Sequence, residues 1–182
     1  MSFRYEVRLS GEGGQGLVLA GKILAEAAAI YDGKNATQSQ SYGPEARGGA
    51  SRSEVIISDD DIDYPKATRI DLLLALTQES SDKYSADLKE NGIFLVDSDA
   101  VTRFPKGSFK LFKVPISQIA RDKIGKVVVA NIVALGLIAE LAQIVSIEAL
   151  ESAVLARVPK GTEELNLRAF RTGMEAAREL KK

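Results

Sequence analysis

The chain has 182 residues, 45% of them hydrophobic and 27% charged, with a net charge of −1. That length suits one domain with a real core, and the near-neutral balance gives no field for nucleic acid or anionic lipid. Cysteine and histidine are both absent, which excludes disulfides, thiol nucleophiles and Cys-ligated clusters, and removes the commonest base near neutral pH and the commonest zinc ligand.

The first expected strand is Tyr5 to Ser10, where Tyr5, Val7 and Leu9 alternate against Glu6 and Arg8. It runs into Gly11-Glu12-Gly13-Gly14-Gln15-Gly16, and a helix is expected from Leu17 to Ile30, ended by Gly33 and Asn35. Thr37 to Ser53 shows neither a helical nor a strand period and reads as a long functional loop. A short strand is expected at Glu54 to Ser58, followed by a solvated acidic turn at Asp59 to Asp61. Ile70 to Leu76 is an apolar run, as in a parallel strand buried on both faces. Ser80 to Asn91 reads as a polar helix stopping at Gly92, Ile93 to Val96 as a strand, and Leu111 to Val114 as the last strand, closed by Pro115.

From Ser117 the pattern turns helical: Ser117 to Ile124, Val127 to Val145, Ser146 to Val158 and Thr162 to Lys181, with Ser146 and Thr162 as N-caps. Val127 to Val145 approaches the length of a bilayer span, but Asn131, Glu140 and Gln143 interrupt it, so it reads as a buried core or interface helix. Asp97 and Asp99 end a strand without a third ligand and read as turn caps, and no metal site is expected. The fold expected is α/β: an open, mostly parallel sheet with a Rossmann-like βα start (residues 1–115) and a helical C-terminal portion (116–182) packed on it as one domain.

Two loops are candidate sites. Gly11-x-Gly13-x-x-Gly16 between strand and helix has the setting of a dinucleotide fingerprint: glycines permit a tight turn and let an anion approach the amides at the helix start. Gly13, Gly14 and Gln15 belong to the same turn. Two features count against a dinucleotide. Glu12 puts negative charge inside the cradle, and the stretch Asn35 to Ser41 lacks the ribose-binding acid. A small Rossmann-type nucleotide-binding reductase or dehydrogenase is the alternative reading, and a turn that merely packs helix on strand is another. The second loop is Tyr42-Gly43-Pro44-Glu45-Ala46-Arg47-Gly48-Gly49, in which Pro44 fixes a turn and Arg47 offers a planar fork for an oxyanion. Pairing of Arg47 with Glu45 is the plainer alternative.

Together, Gly11 to Gly16 and Ser41 to Gly49 resemble the gamma subunit of 2-oxoacid:ferredoxin oxidoreductases, as do Asn131 to Leu135 and the Asn166, Ala169, Phe170 and Gly173 spacing. The resemblance is greatest to the 2-oxoglutarate branch, with branched-chain and pyruvate enzymes next. It implies a complex that decarboxylates a 2-oxoacid, makes acyl-CoA and reduces ferredoxin. Thiamine diphosphate and iron–sulfur clusters would lie in partner subunits (alpha, beta and a ferredoxin-like delta), with CoA as co-substrate. By this resemblance Gly11, Gly13, Gly14, Gln15, Gly16, Tyr42, Gly43, Pro44, Glu45, Arg47, Gly48 and Gly49 are contact positions, no residue is catalytic, and the isolated chain is inactive. A cytoplasmic location is expected, since Met1 to Arg8 lacks the apolar core of a signal peptide. Neither nucleic acid nor membrane is an expected partner, and self-association of the isolated chain is compatible with the sequence.

Overall fold

The computed structural model describes residues 3–41 and 50–182. Six strands form one sheet in the order β2-β3-β1-β4-β5-β6. They are β1 (Arg4–Glu12), β2 (Asn35–Ser41), β3 (Ala50–Ser58), β4 (Ile70–Ala75), β5 (Leu88–Asp97) and β6 (Lys110–Val114). β1, β4, β5 and β6 run parallel, while β3 pairs antiparallel with both β1 and β2. The sheet is therefore mixed, with its parallel part on one side of β1.

The helices are α1 (Leu17–Glu26), α2 (Gln78–Tyr84), α3 (Ile116–Ile119), α4 (Ala130–Ala142), α5 (Ile147–Arg157) and α6 (Glu163–Leu180). One sheet face, bearing Val7, Leu9, Val55, Ile57, Leu72 and Leu74, packs into a core shared with α1 and α3–α6. The other face has a smaller core around Ile56, Leu73, Phe94 and Tyr84 of α2. α4 is buried from Ala130 to Glu140, as its largely apolar sequence predicts. It presses so closely on α6 that a Cβ at Gly136 or Gly173 would strike the opposing helix backbone at 2.1 or 2.0 Å. Its buried Glu140 is answered from α6 by Arg178 Nη2 at 2.8 Å. Ser146 caps α5 as expected, accepting from the Ala149 N–H at 3.1 Å. Thr162 does not cap α6 with its side chain; its hydroxyl donates to the Pro159 carbonyl. Among the described residues no helix is long and apolar enough to cross a membrane.

Four further expectations need correction. Much of the stretch read as a loop from Thr37 to Ser53 is strand, leaving only residues 42–49 between β2 and β3. No two-residue period announces this, because β2 is an edge strand with polar residues on both faces. In β3 the position under α1 must also be small: a Cβ on Gly21 would lie 2.0 Å from Ser53 Oγ. The helix expected from Ser80 to Asn91 ends early. α2 closes at Tyr84, a 3₁₀ turn covers Ser85–Asp87, and β5 has begun by Leu88, with an irregularity in its register against β4 where Asn91 adopts φ 64°. The alternation read in β1 is not one of exposure, since Glu6 and Arg8 are buried too, at 6% and 2% exposure. Finally, Val127 and Val128 lie outside α4 in a 3₁₀ turn and are 55% and 69% exposed.

Candidate functional site

β1 ends in the glycine turn, and α1 starts directly after it. The turn is held from within. Gln15 folds back so that its Oε1 accepts the Glu12 N–H at 2.8 Å, and a Cβ on Gly11 would collide with that oxygen. Gly16 sits at φ 74°, and its carbonyl accepts from Asn131 Nδ2 at 3.0 Å, where any side chain on Gly16 would clash. Asn131 Oδ1 takes the Ile132 N–H, so this buried amide is satisfied at both ends and ties the start of α4 to the start of α1. Gly13 is different. A Cβ there meets nothing within 4 Å and its φ is ordinary. Among the described residues, the fold leaves room for a side chain at Gly13.

Next to the turn lies a cleft of about 310 Å³ lined by Gly14, Gln15, Leu76, Ser117, Val127, Val128 and Ala130. Ser117 is set by Asp97, a buried carboxylate that accepts its hydroxyl at 2.5 Å and the Asp99 N–H at 3.3 Å. Asp97 is thus a turn cap, as expected from sequence. Among the described residues the lining contains no cationic side chain; it offers main-chain groups, the Gln15 amide, a hydroxyl and apolar walls. Such a lining suits an uncharged, partly apolar group with amide character better than a pyrophosphate. Glu12 continues the alternation of β1, opposite Ala50 of the smaller core, and so leaves on the other sheet face.

Glu12 pairs with Ala50, and Ser41 with Arg52, so Ser41 and Ala50, the described residues on either side of 42–49, lie at the same sheet edge as the glycine turn. Tyr42, Gly43, Pro44, Glu45, Arg47, Gly48 and Gly49 themselves lie outside the described residues. In a dinucleotide fold the second strand lies parallel beside the first and its end meets the ribose. Here antiparallel β3 holds that place. Sequence reading missed Leu76, Ser117, Val127 and Val128. The Lys126 to Val129 run was the available signal, since three consecutive β-branched valines after a lysine make a poor helix interior. Among the described residues no group of three or more metal-binding side chains exists.

The comparisons agree along the whole chain. Residues 6–176 match the model of the family described as pyruvate ferredoxin/flavodoxin oxidoreductase. The chain is 54% identical to 2-oxoglutarate synthase subunit KorC of Methanocaldococcus jannaschii, over 99% of this chain and 97% of that protein. The gamma subunit of keto/oxoacid ferredoxin oxidoreductase from Geobacter sulfurreducens superposes with a TM-score of 0.88 at 59% identity, covering 96% of this chain and 99% of that one. A 2-oxoglutarate:ferredoxin oxidoreductase from Magnetococcus marinus, 24% identical, shares the fold with a TM-score of 0.84; there the match takes up 31% of a longer chain. From its first strand to its last helix, this chain belongs to the pyruvate ferredoxin/flavodoxin oxidoreductase family.

Proposed function

We propose that the chain is the gamma-type subunit of a 2-oxoglutarate:ferredoxin oxidoreductase, and that its glycine turn receives part of the co-substrate CoA at the complex's interior edge. The subunit reading is carried by the end-to-end likeness to a 2-oxoglutarate synthase subunit. In this reading thiamine diphosphate and iron–sulfur clusters belong to alpha, beta and ferredoxin-like delta partners, ferredoxin accepts the electrons, and the assembly works in the cytoplasm. The side chains fit that division of labour, because the chain contains neither a thiol nor an imidazole.

The site reading is carried by Gly13, open beside an uncharged cleft. CoA supplies a thiol that accepts the acyl group, at the end of an arm built from two amides and short apolar links. Amides of the turn and the Ser117 hydroxyl are suited to bind that arm, while Leu76, Val127 and Val128 exclude water from it. Gly11, Gln15 and Gly16 hold the turn, and Tyr42 to Gly49, Arg47 included, are contact positions contributed by the neighbouring loop. No residue of this chain is assigned a catalytic step.

The test is reconstitution. The chain alone should give no 2-oxoglutarate-dependent reduction of a viologen dye, and co-expression with the partner subunits should restore it. Gly13→Leu should leave the complex assembled and raise KM for CoA at least about tenfold, the scale of about 1.4 kcal/mol of lost binding, with KM for 2-oxoglutarate little changed. Turnover by the lone chain would end the subunit reading, and an unchanged KM for CoA would end the site reading.

A further inference from the structure

The two edges of the sheet are protected unequally. A sheet edge offers unpaired backbone donors and acceptors, and chains commonly blunt it with lysine, proline or brevity. β6 follows that rule: it has five residues, and both Lys110 and Lys113 are exposed. β2 does not. It has seven residues, Asn-Ala-Thr-Gln-Ser-Gln-Ser, with no charge and no proline, and it is the terminal strand of the sheet.

Beside this open edge, on the face away from α1, runs a groove of about 650 Å³. Its floor crosses from Ser39 and Ser41 of β2 to Arg52 of β3, and its far wall includes Lys66 and Thr68. Arg52 is held ready: its Nε lies 3.1 Å from Glu54 Oε1, and its guanidinium sits 5.4 Å from the centre of the Tyr84 ring. Its Nε is buried and, despite that approach, makes no hydrogen bond among the described residues, while the side chain as a whole is 32% exposed. The charges that line the groove are Arg8, Arg52 and Lys66 against Glu54 and Asp87, a surplus of one positive charge. Arg8 is itself committed to Asp87 and Glu54 at 2.6 and 3.1 Å.

We propose that β2 is a docking edge, along which an extended acidic segment of another subunit pairs with Asn35–Ser41 and lays a carboxylate in the groove against Arg52 and Lys66. The geometry of a sheet allows the reach. An added strand would lie about 5 Å from β2 and about 10 Å from β3, and only the small side chains Ser39 and Ser41 stand between. Main-chain pairing supplies affinity and the cationic groove supplies selection for acid, the division of labour of strand addition. The groove is a partly open depression rather than an enclosed cavity, which suits a segment of chain better than a buried small molecule. The inference rests on the subunit reading only in requiring that other subunits exist.

The decisive measurement is hydrogen exchange on the full chain, free and within the co-expressed complex. Alternate amides of Asn35–Ser41 should exchange at least about tenfold more slowly in the complex, while β6 amides stay unchanged. Ser39→Lys, which guards the edge without touching the core, and Arg52→Gln should each weaken assembly about fivefold to tenfold, and Arg52→Gln should flatten its salt dependence. Protection that grows with concentration in the isolated chain identifies a second copy as the occupant and overturns the inference. An assembled complex with β2 still exchanging freely overturns it as well. If the wild-type chain does not assemble at all, the subunit reading falls and takes this inference with it.

Discussion

The two faces of β1 are built on opposite principles, although the sheet as a whole carries an apolar core on each side. Toward α1 and the C-terminal helices, β1 sends Val7 and Leu9 into an apolar core. Toward α2 it sends Glu6, Arg8 and Ser10, all buried and all hydrogen-bonded: Glu6 to the Thr68 N–H, Arg8 to Asp87 and Glu54, Ser10 to the Leu74 carbonyl. Arg8 also stacks 5.2 Å from the Tyr84 ring centre, beside Arg52. An apolar face draws stability from area and tolerates imprecise contacts, whereas a buried ionic face gains little net energy but fixes which groups stand where. The first face holds the molecule together; the second holds Arg52 in position at the groove.

Mutations should separate the two. Leu9→Ala removes a fully buried side chain from the helical face and should cost about 3 kcal/mol, read from the urea midpoint at unchanged slope. Arg8→Met should cost less, about 2 kcal/mol, because Asp87 is half exposed and Glu54 keeps Arg52. Adding Asp87→Leu to Arg8→Met should recover part of that loss, and failure to recover any would show that the ionic face contributes stability like the apolar one. On the glycine turn, Gly16→Ala should cost about 1 kcal/mol or more from the left-handed backbone and Asn131, while Gly13→Ala should shift the midpoint by under about 0.5 kcal/mol.

The smallest effect concerns Tyr5, at the margin of the helical face. Burial, and then the nearby Asp71 charge, push its phenol above the ordinary tyrosine range. Because the folded state favours the neutral phenol, that contribution is complete below the unfolded pKa and is lost as pH rises beyond it. Between about pH 9 and pH 11 the wild type should therefore lose more stability than Tyr5→Phe. Equal losses would mean that the phenol ionises freely in the folded chain.

How much of this was legible follows from what each segment buries. Leu72 to Leu76 and Ile93 to Val96 announce themselves because strands covered on both faces must be apolar along their covered length. The glycine turn announces itself because backbone shape, unlike packing, constrains residue type directly. β2 is silent, since an edge strand with wet faces has no reason to alternate. The burial of Arg8 is equally silent: its partners, Glu54 and Asp87, lie 46 and 79 residues away, and nothing local distinguishes it from a solvated arginine. Val127 and Val128 mislead, because the apolar run that continues from them into α4 masks the weak helix propensity of three successive valines.

The Asn131 bridge has a consequence for synthesis. Its bond to the Gly16 carbonyl spans 115 residues, so while the first hundred residues leave the ribosome, the loop after β1 lacks the clamp that completes its form. In a nascent fragment the turn can take its finished, clamped form only once α4 has been made.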